Sequence, residues 1–131
     1  MAMKFSVDKH EKYVVLKLNE SKFSNENTPK LKSELILLNA EGYINIVLDL
    51  SEIEECDDSQ DLSSLLVGDR LCKKSDGLFI LTGSNHCITH ILKMSKLDEA
   101  LITVGRLEEA TDLIFMNEIE KEMLGSFDED V

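Results

Sequence analysis

Apolar and polar residues alternate over 3–8, MKFSVD, and more strongly over 12–18, KYVVLKL, so two strands are expected. The short HEK between them predicts an antiparallel hairpin. The polar stretch NESKFSNENTPKL then leads into a helix, with Thr28 as N-cap and Pro29 at the first helical position, where its missing N–H costs nothing. Leu31, Leu35 and Leu38 fall at helical spacing, and Gly42 ends that helix. Residues 44–50, INIVLDL, are almost continuously apolar, as in a central strand covered on both faces. A helix is expected over 59–74, with Leu62, Leu65, Leu66 and Cys72 inward. GLFILTG (77–83) predicts a second buried strand. NHCITHILKMSKL (85–97) predicts a helix that buries Ile88, Ile91, Leu92 and Met94. LITV (101–104) is a short strand, and 106–124 a long last helix with Leu107, Ala110 and Ile114 inward. Phe115, Ile119 and Met123 continue that helical spacing. They pack on the protein's own sheet or cover a seam in a homodimer.

The predicted order is β-β-α-β-α-β-α-β-α. An initial hairpin followed by strands alternating with helices implies an α/β fold with a mixed β-sheet and about four helices. Right-handed crossovers favour parallel inner strands. In such sheets function gathers where strands end and loops enter helices. Two loops meet that description here: SEIEECDDSQD after INIVLDL, and TGSN after GLFIL. The 131 residues fit one domain over 1–124, and the acidic 125–131 fits a frayed tail.

Charge narrows the choice of partner. The chain has 26 acidic and 14 basic residues, a net charge of −12. Nucleic-acid binding and anionic membrane surfaces both rest on Lys and Arg, so neither is expected. A basic protein surface fits better. The N-terminus has no signal-peptide pattern, and no run approaches the ~18 apolar residues of a membrane span. Cys56, Cys72 and Cys87 form no C-x-x-C pair, and a reduced cytoplasmic protein is the expectation, with the thiols as small hydrophobes.

The chemistry-bearing stretch is IEECDDSQDLSSLLVG, residues 53–68. Asp58 and Asp61 stand three apart, a capping-box spacing worth about 1 kcal/mol. Asp57, Glu54 and Glu55 are not needed for capping, and they form a solvated acidic loop or a standing negative charge. The loop lacks the D-x-D-x-D-G spacing of a calcium site. His86 and His90, beside Cys87, have the spacing of a zinc pair but lack further ligands nearby. No nucleotide-binding glycine motif or nucleophile elbow is present, and Ser59 has no paired base, so no catalytic residue, metal or cofactor is expected.

Several motifs together resemble the STAS domain, the fold of bacterial anti-sigma factor antagonists. Asp49-Leu50-Ser51 matches the end of the family's buried strand, and 62–68, LSSLLVG, matches its following helix. FSNENTPKLKSEL, LTGSN, KMSKLDEAL and RLEEAT add weaker matches, so the resemblance covers roughly 3–115. It implies a non-enzymatic regulator of transcription that binds an anti-sigma factor of the serine-kinase type. In the family, that kinase phosphorylates the second serine of Asp-Ser-Ser-Gly at the helix start. A phosphate there meets free N–H groups and the positive helix end, and it adds about −1.5 to −2 charge to a binding face.

Here the loop reads DDSQD and is one residue longer than the family pattern. Anchored on the strand, the alignment makes Ser59 the phosphoacceptor. Anchored on the helix, it puts Gln60 at that position. Insertions fall more readily in loops, which favours the helix anchor. On the helix anchor the switch is lost, or its serine has moved by one position. A diverged scaffold or small-ligand sensor is then the alternative function. The resemblance implies a partner surface made of Asp57, Asp58, Ser59, Gln60, Asp61 and Ser63. It is flanked by Phe23, Ser24 and Asn25 and by Gly83, Ser84 and Asn85.

Overall fold

The computed structural model describes residues 4–57, 61–83 and 85–129. Five strands form one sheet: β1 (Phe5–Lys9), β2 (Val14–Leu18), β4 (Ile46–Asp49), β6 (Phe79–Thr82) and β7 (Ile102–Val104), in the order β1-β2-β4-β6-β7. Strands β1 and β2 are antiparallel, and every later neighbour pair is parallel. A separate pair joins β3 (Lys22–Phe23) in parallel to β5 (Glu55–Cys56). The helices are α1 (Thr28–Ala40), α2 (Ser63–Lys74), α3 (His86–Met94) and α4 (Leu107–Glu129).

The period of two explains how the sheet is covered. Val14, Leu16, Leu18, Ile46, Leu48, Phe79 and Leu81 share one face and meet Leu31, Leu35, Leu38, Leu65, Cys72, Ile88 and Leu92 from α1, α2 and α3. The intervening Val15, Val47 and Ile80 share the other face and meet Ala110 and Ile114 of α4. Each fully buried aliphatic side chain contributes about 1.5–3 kcal/mol, so the three-helix face dominates stability. At the far end of the sheet the buried Asn45 holds three segments together. Its Nδ2 donates to Lys12 O (2.9 Å), its Oδ1 accepts from Leu78 N (2.9 Å), and its carbonyl accepts from Val14 N (3.1 Å).

The elements follow the expected order, with local differences. Thr28 is the first residue of α1 and not its cap; a 3-10 turn over Asn25–Asn27 leads into it, and the Thr28 hydroxyl is buried without a partner among the described residues. Helix α2 begins at Ser63, later than expected, because Asp61 Oδ1 accepts the Ser63 N–H at 2.9 Å and fixes the turn there. The β3–β5 pair was not expected at all. Ile119 and Met123 do not pack on the sheet, being 56% and 57% exposed, and Phe115, 45% exposed, reaches only the Tyr13 ring just before β2, edge-on at 6.0 Å. Only the first turns of α4 lie over apolar strand residues. Farther on, Asn117 Nδ2 and Lys121 Nζ donate to Asp76 O in the turn after α2. Leu66, Met94 and Leu107 also face solvent. Among the described residues no helix is long and apolar enough to cross a membrane.

Candidate functional site

Strands β4 and β6 end side by side, with Asp49 in register with Thr82. Beyond them the chain must turn without losing hydrogen bonds. Asp49 Oδ1 accepts from Ser51 N (2.9 Å), Leu50 N donates to Thr82 O (2.8 Å), and Ile53 N donates to Leu50 O (3.0 Å). The chain then runs beside the segment before α1. Ser21 O accepts from both Glu54 N and Glu55 N, at 2.7 and 3.0 Å, and the β3–β5 pair follows. This brings the polar stretch around Asn25 against the acidic loop.

Asn25 holds both sides of that loop. Its backbone N–H donates to Asp57 Oδ2 (3.0 Å), and its Oδ1 accepts from Asp61 N (2.6 Å). The intervening Asp58, Ser59 and Gln60 lie outside the described residues, as does Ser84. The Lys22 ammonium approaches Asp57 Oδ1 to 2.9 Å. The Asn25 N–H and then Lys22 hold the Asp57 carboxyl below its usual range, and Asp57 raises Lys22 in return. Asp61 is lowered by the nearby Ser63 hydroxyl, then by the Ser63 N–H, although Ser63 Oγ itself falls short of hydrogen-bond geometry. Ser64 is fully buried.

The second flank is equally fixed. Gly83 has a φ of +72° and sits against Ser51. Asn85 caps α3: its Oδ1 accepts from Cys87 N (3.0 Å) and Ile88 N (3.2 Å), and its Nδ2 donates to Ile53 O. One side chain therefore caps a helix and ties it to the neighbouring loop. The predicted residues Ser24, Asn25, Asp57, Asp61, Ser63, Gly83 and Asn85 all lie on these segments at the C-terminal end of the sheet. Phe23 is fully buried and supports the site from beneath. Lys22 was missed in the sequence, where a lone lysine beside polar residues gives no signal. Among the described residues, no group of three or more His, Cys, Asp or Glu side chains is placed to hold a metal ion.

The lowered carboxyls set a pH dependence. Unfolded aspartates titrate near pH ~3.9, so near and below that pH the unfolded state binds more protons than the folded one. The stabilisation by Asp57 and Asp61 is present above the unfolded value and lost as pH falls through the folded values. Both carboxylates are solvent-accessible, so the effect is small. Urea unfolding from pH 6 to about pH 2.5 should show a steeper loss of stability for the wild type than for the Asp57→Asn/Asp61→Asn double variant. Equal slopes would remove these two groups from the acid response.

The same architecture occurs in solved structures. A candidate anti-sigma factor antagonist from Thermotoga maritima is 24% identical with a TM-score of 0.72, over 84% of this chain and 93% of that one. An anti-sigma factor antagonist from Mycobacterium paratuberculosis is 18% identical with a TM-score of 0.73, over 86% of this chain and 94% of that one. The anti-sigma factor antagonist SpoIIAA of Bacillus, in its unphosphorylated form, is 16% identical with a TM-score of 0.70, over 85% of this chain and 96% of that one. No family model and no curated protein matches the sequence. Hairpin start, parallel inner strands, three helices on one face and one on the other: the chain has the STAS fold.

Proposed function

We propose that the protein is a non-enzymatic regulatory module of the anti-sigma factor antagonist kind. It binds a protein partner, an anti-sigma factor of the serine-kinase type, through the loop–helix junction around 57–63. The observation that carries this reading is the double tether from Asn25 to Asp57 and Asp61. It holds both flanks of the acidic loop in place at the end of the sheet, so less ordering remains to be done on binding. The likeness to SpoIIAA, which has also been solved in a phosphorylated form, supports the class of partner. Glu52, Glu54 and Glu55 are exposed nearby, so the complementary partner surface is basic.

Ser59 is the phosphoacceptor in this reading. Ser64 is fully buried and Ser63 Oγ is also buried, so a kinase would have to open the start of α2 to reach either. The test has two parts. The protein is incubated with the anti-sigma serine kinases of its own cell and ATP, and phosphate is mapped across 51–72. Affinity for the same kinases is then measured with alanine at Asp58, Ser59 and Gln60. Phosphate on Ser59 and at least a tenfold loss of affinity, about 1.4 kcal/mol, are expected. Phosphate on Ser63 or Ser64 would move the acceptor. Binding without phosphate would make the module a scaffold that has lost phospho-switching. Unchanged affinity in the triple variant would remove the junction from the interface.

A further inference from the structure

Two of the three cysteines, 31 residues apart in the chain, meet beside the acidic loop. Cys56 Sγ and Cys87 Sγ lie 2.6 Å apart as free thiols. Cys56 ends β5, and Cys87 stands in the first turn of α3. The Asn85 amide joins the same two stretches of chain independently, by donating to Ile53 O. Both thiols are half-buried, whereas Cys72 is fully buried in the core. Cys87 also lines an open surface groove with His86, Thr89, His90 and Lys93, which gives a small oxidant a path to its sulfur.

From this juxtaposition we propose that Cys56 and Cys87 are a reversible disulfide site, closed by a small-molecule disulfide and reopened by thiols. Cys87, as its thiolate, attacks one sulfur of the oxidant RSSR, breaks the S–S bond and releases one RS⁻. Cys56, as its thiolate, then attacks the Cys87 sulfur of the mixed disulfide and releases the second RS⁻. The two cysteine protons end on the two leaving thiolates. Two protein thiols and RSSR thus give one protein disulfide and two RSH, with two electrons passing to the oxidant. The order follows from access: Cys87 lines the open groove, whereas burial, and then the Cys87 contact, push the Cys56 thiol up to about 12. Burial likewise pushes Cys72 up to about 12, which leaves it a bystander.

Closure would cross-link β5, which leads into the acidic loop, to α3. It would also enclose α2 and β6 in a covalent loop, which restricts the unfolded chain. The protein is incubated with oxidised glutathione, quenched in acid, unfolded and labelled with N-ethylmaleimide. The expected product is a monomer that, before labelling, is two hydrogens lighter than the reduced chain. It carries label on Cys72 alone, with a Cys56–Cys87 peptide pair on mapping. Its Tm should rise by several degrees and fall back on adding dithiothreitol, a rise absent from both Cys56→Ser and Cys87→Ser. Three labelled cysteines, glutathione retained on Cys87, or a Cys56–Cys87 link between two chains would each overturn the proposal.

Discussion

Alanine at Gly83 is expected to destabilise the protein by about 2–4 kcal/mol, from left-handed backbone strain and overpacking together. The φ of +72° already disfavours any side chain. An added Cβ would also lie 2.8 Å from Ser51 N, 2.9 Å from Ser51 Cβ and 3.0 Å from Ser51 Cα. Two of those atoms are backbone, so no rotamer change relieves the contact. The loop after β4 would have to move away from the loop after β6, and these are the two loops that flank the candidate site. Gly42 is the internal control. Its φ is +109°, but nothing lies within 4 Å of an added Cβ, so Gly42→Ala meets strain without collision. Urea titrations of the two variants should place Gly83→Ala well below Gly42→Ala in stability. Ser51→Gly in the Gly83→Ala background should recover only part of the loss, because the Ser51 backbone remains. Equal stability of the two glycine variants would mean that the loops do not press together as described.

Leucine at Asn45 is the second large effect. It keeps the size of the side chain but removes both polar ends. The Leu78 N–H and the Lys12 carbonyl would each lose a partner. An unpaired buried group costs roughly 1–3 kcal/mol, so a loss of about 2–4 kcal/mol is expected. At this chain length that is a Tm lower by roughly 10 °C. Asn45 sits at the end of the sheet remote from the candidate site. Partner affinity, measured at a temperature where the variant is folded, should therefore stay within about twofold, since distant sites act independently. A shift under 1 kcal/mol in urea unfolding would show that water replaces both bonds. The two variants thus separate the sheet's two ends: one alters stability and site together, the other stability alone.

Asn45 shows why some of this was not legible in the sequence. INIVLDL announces a buried strand, and β4 is there. Yet nothing in a run of apolar residues marks its one amide as a clamp on two distant segments. The same holds for β3 and β5. Two-residue strands have no periodicity to detect, and each is fixed by a partner more than thirty residues away. The acids before α2 suggested a capping box of Asp58 and Asp61, and only the geometry shows the Asp61 carboxylate taking the Ser63 N–H instead. Helical spacing placed Phe115, Ile119 and Met123 on a stripe, but spacing does not tell a helix where the sheet beneath it ends. What the sequence did carry was the pairing of long apolar strands with loop–helix junctions. Those local signals marked the two loops that carry Asp57, Asp61, Gly83 and Asn85. Lys22 and the meeting of Cys56 with Cys87 depend on the fold having closed.

Helix α4 gives the molecule a polarity that matters for handling it. It starts just after the C-terminal end of β7, on the side of the acidic loop. It runs back along the sheet to Asp76, before the start of β6. Anything fused or anchored behind α4 is thereby carried to the opposite pole. A sensor surface or an affinity resin attached there would present the 57–63 junction outward, toward whatever is passed over it.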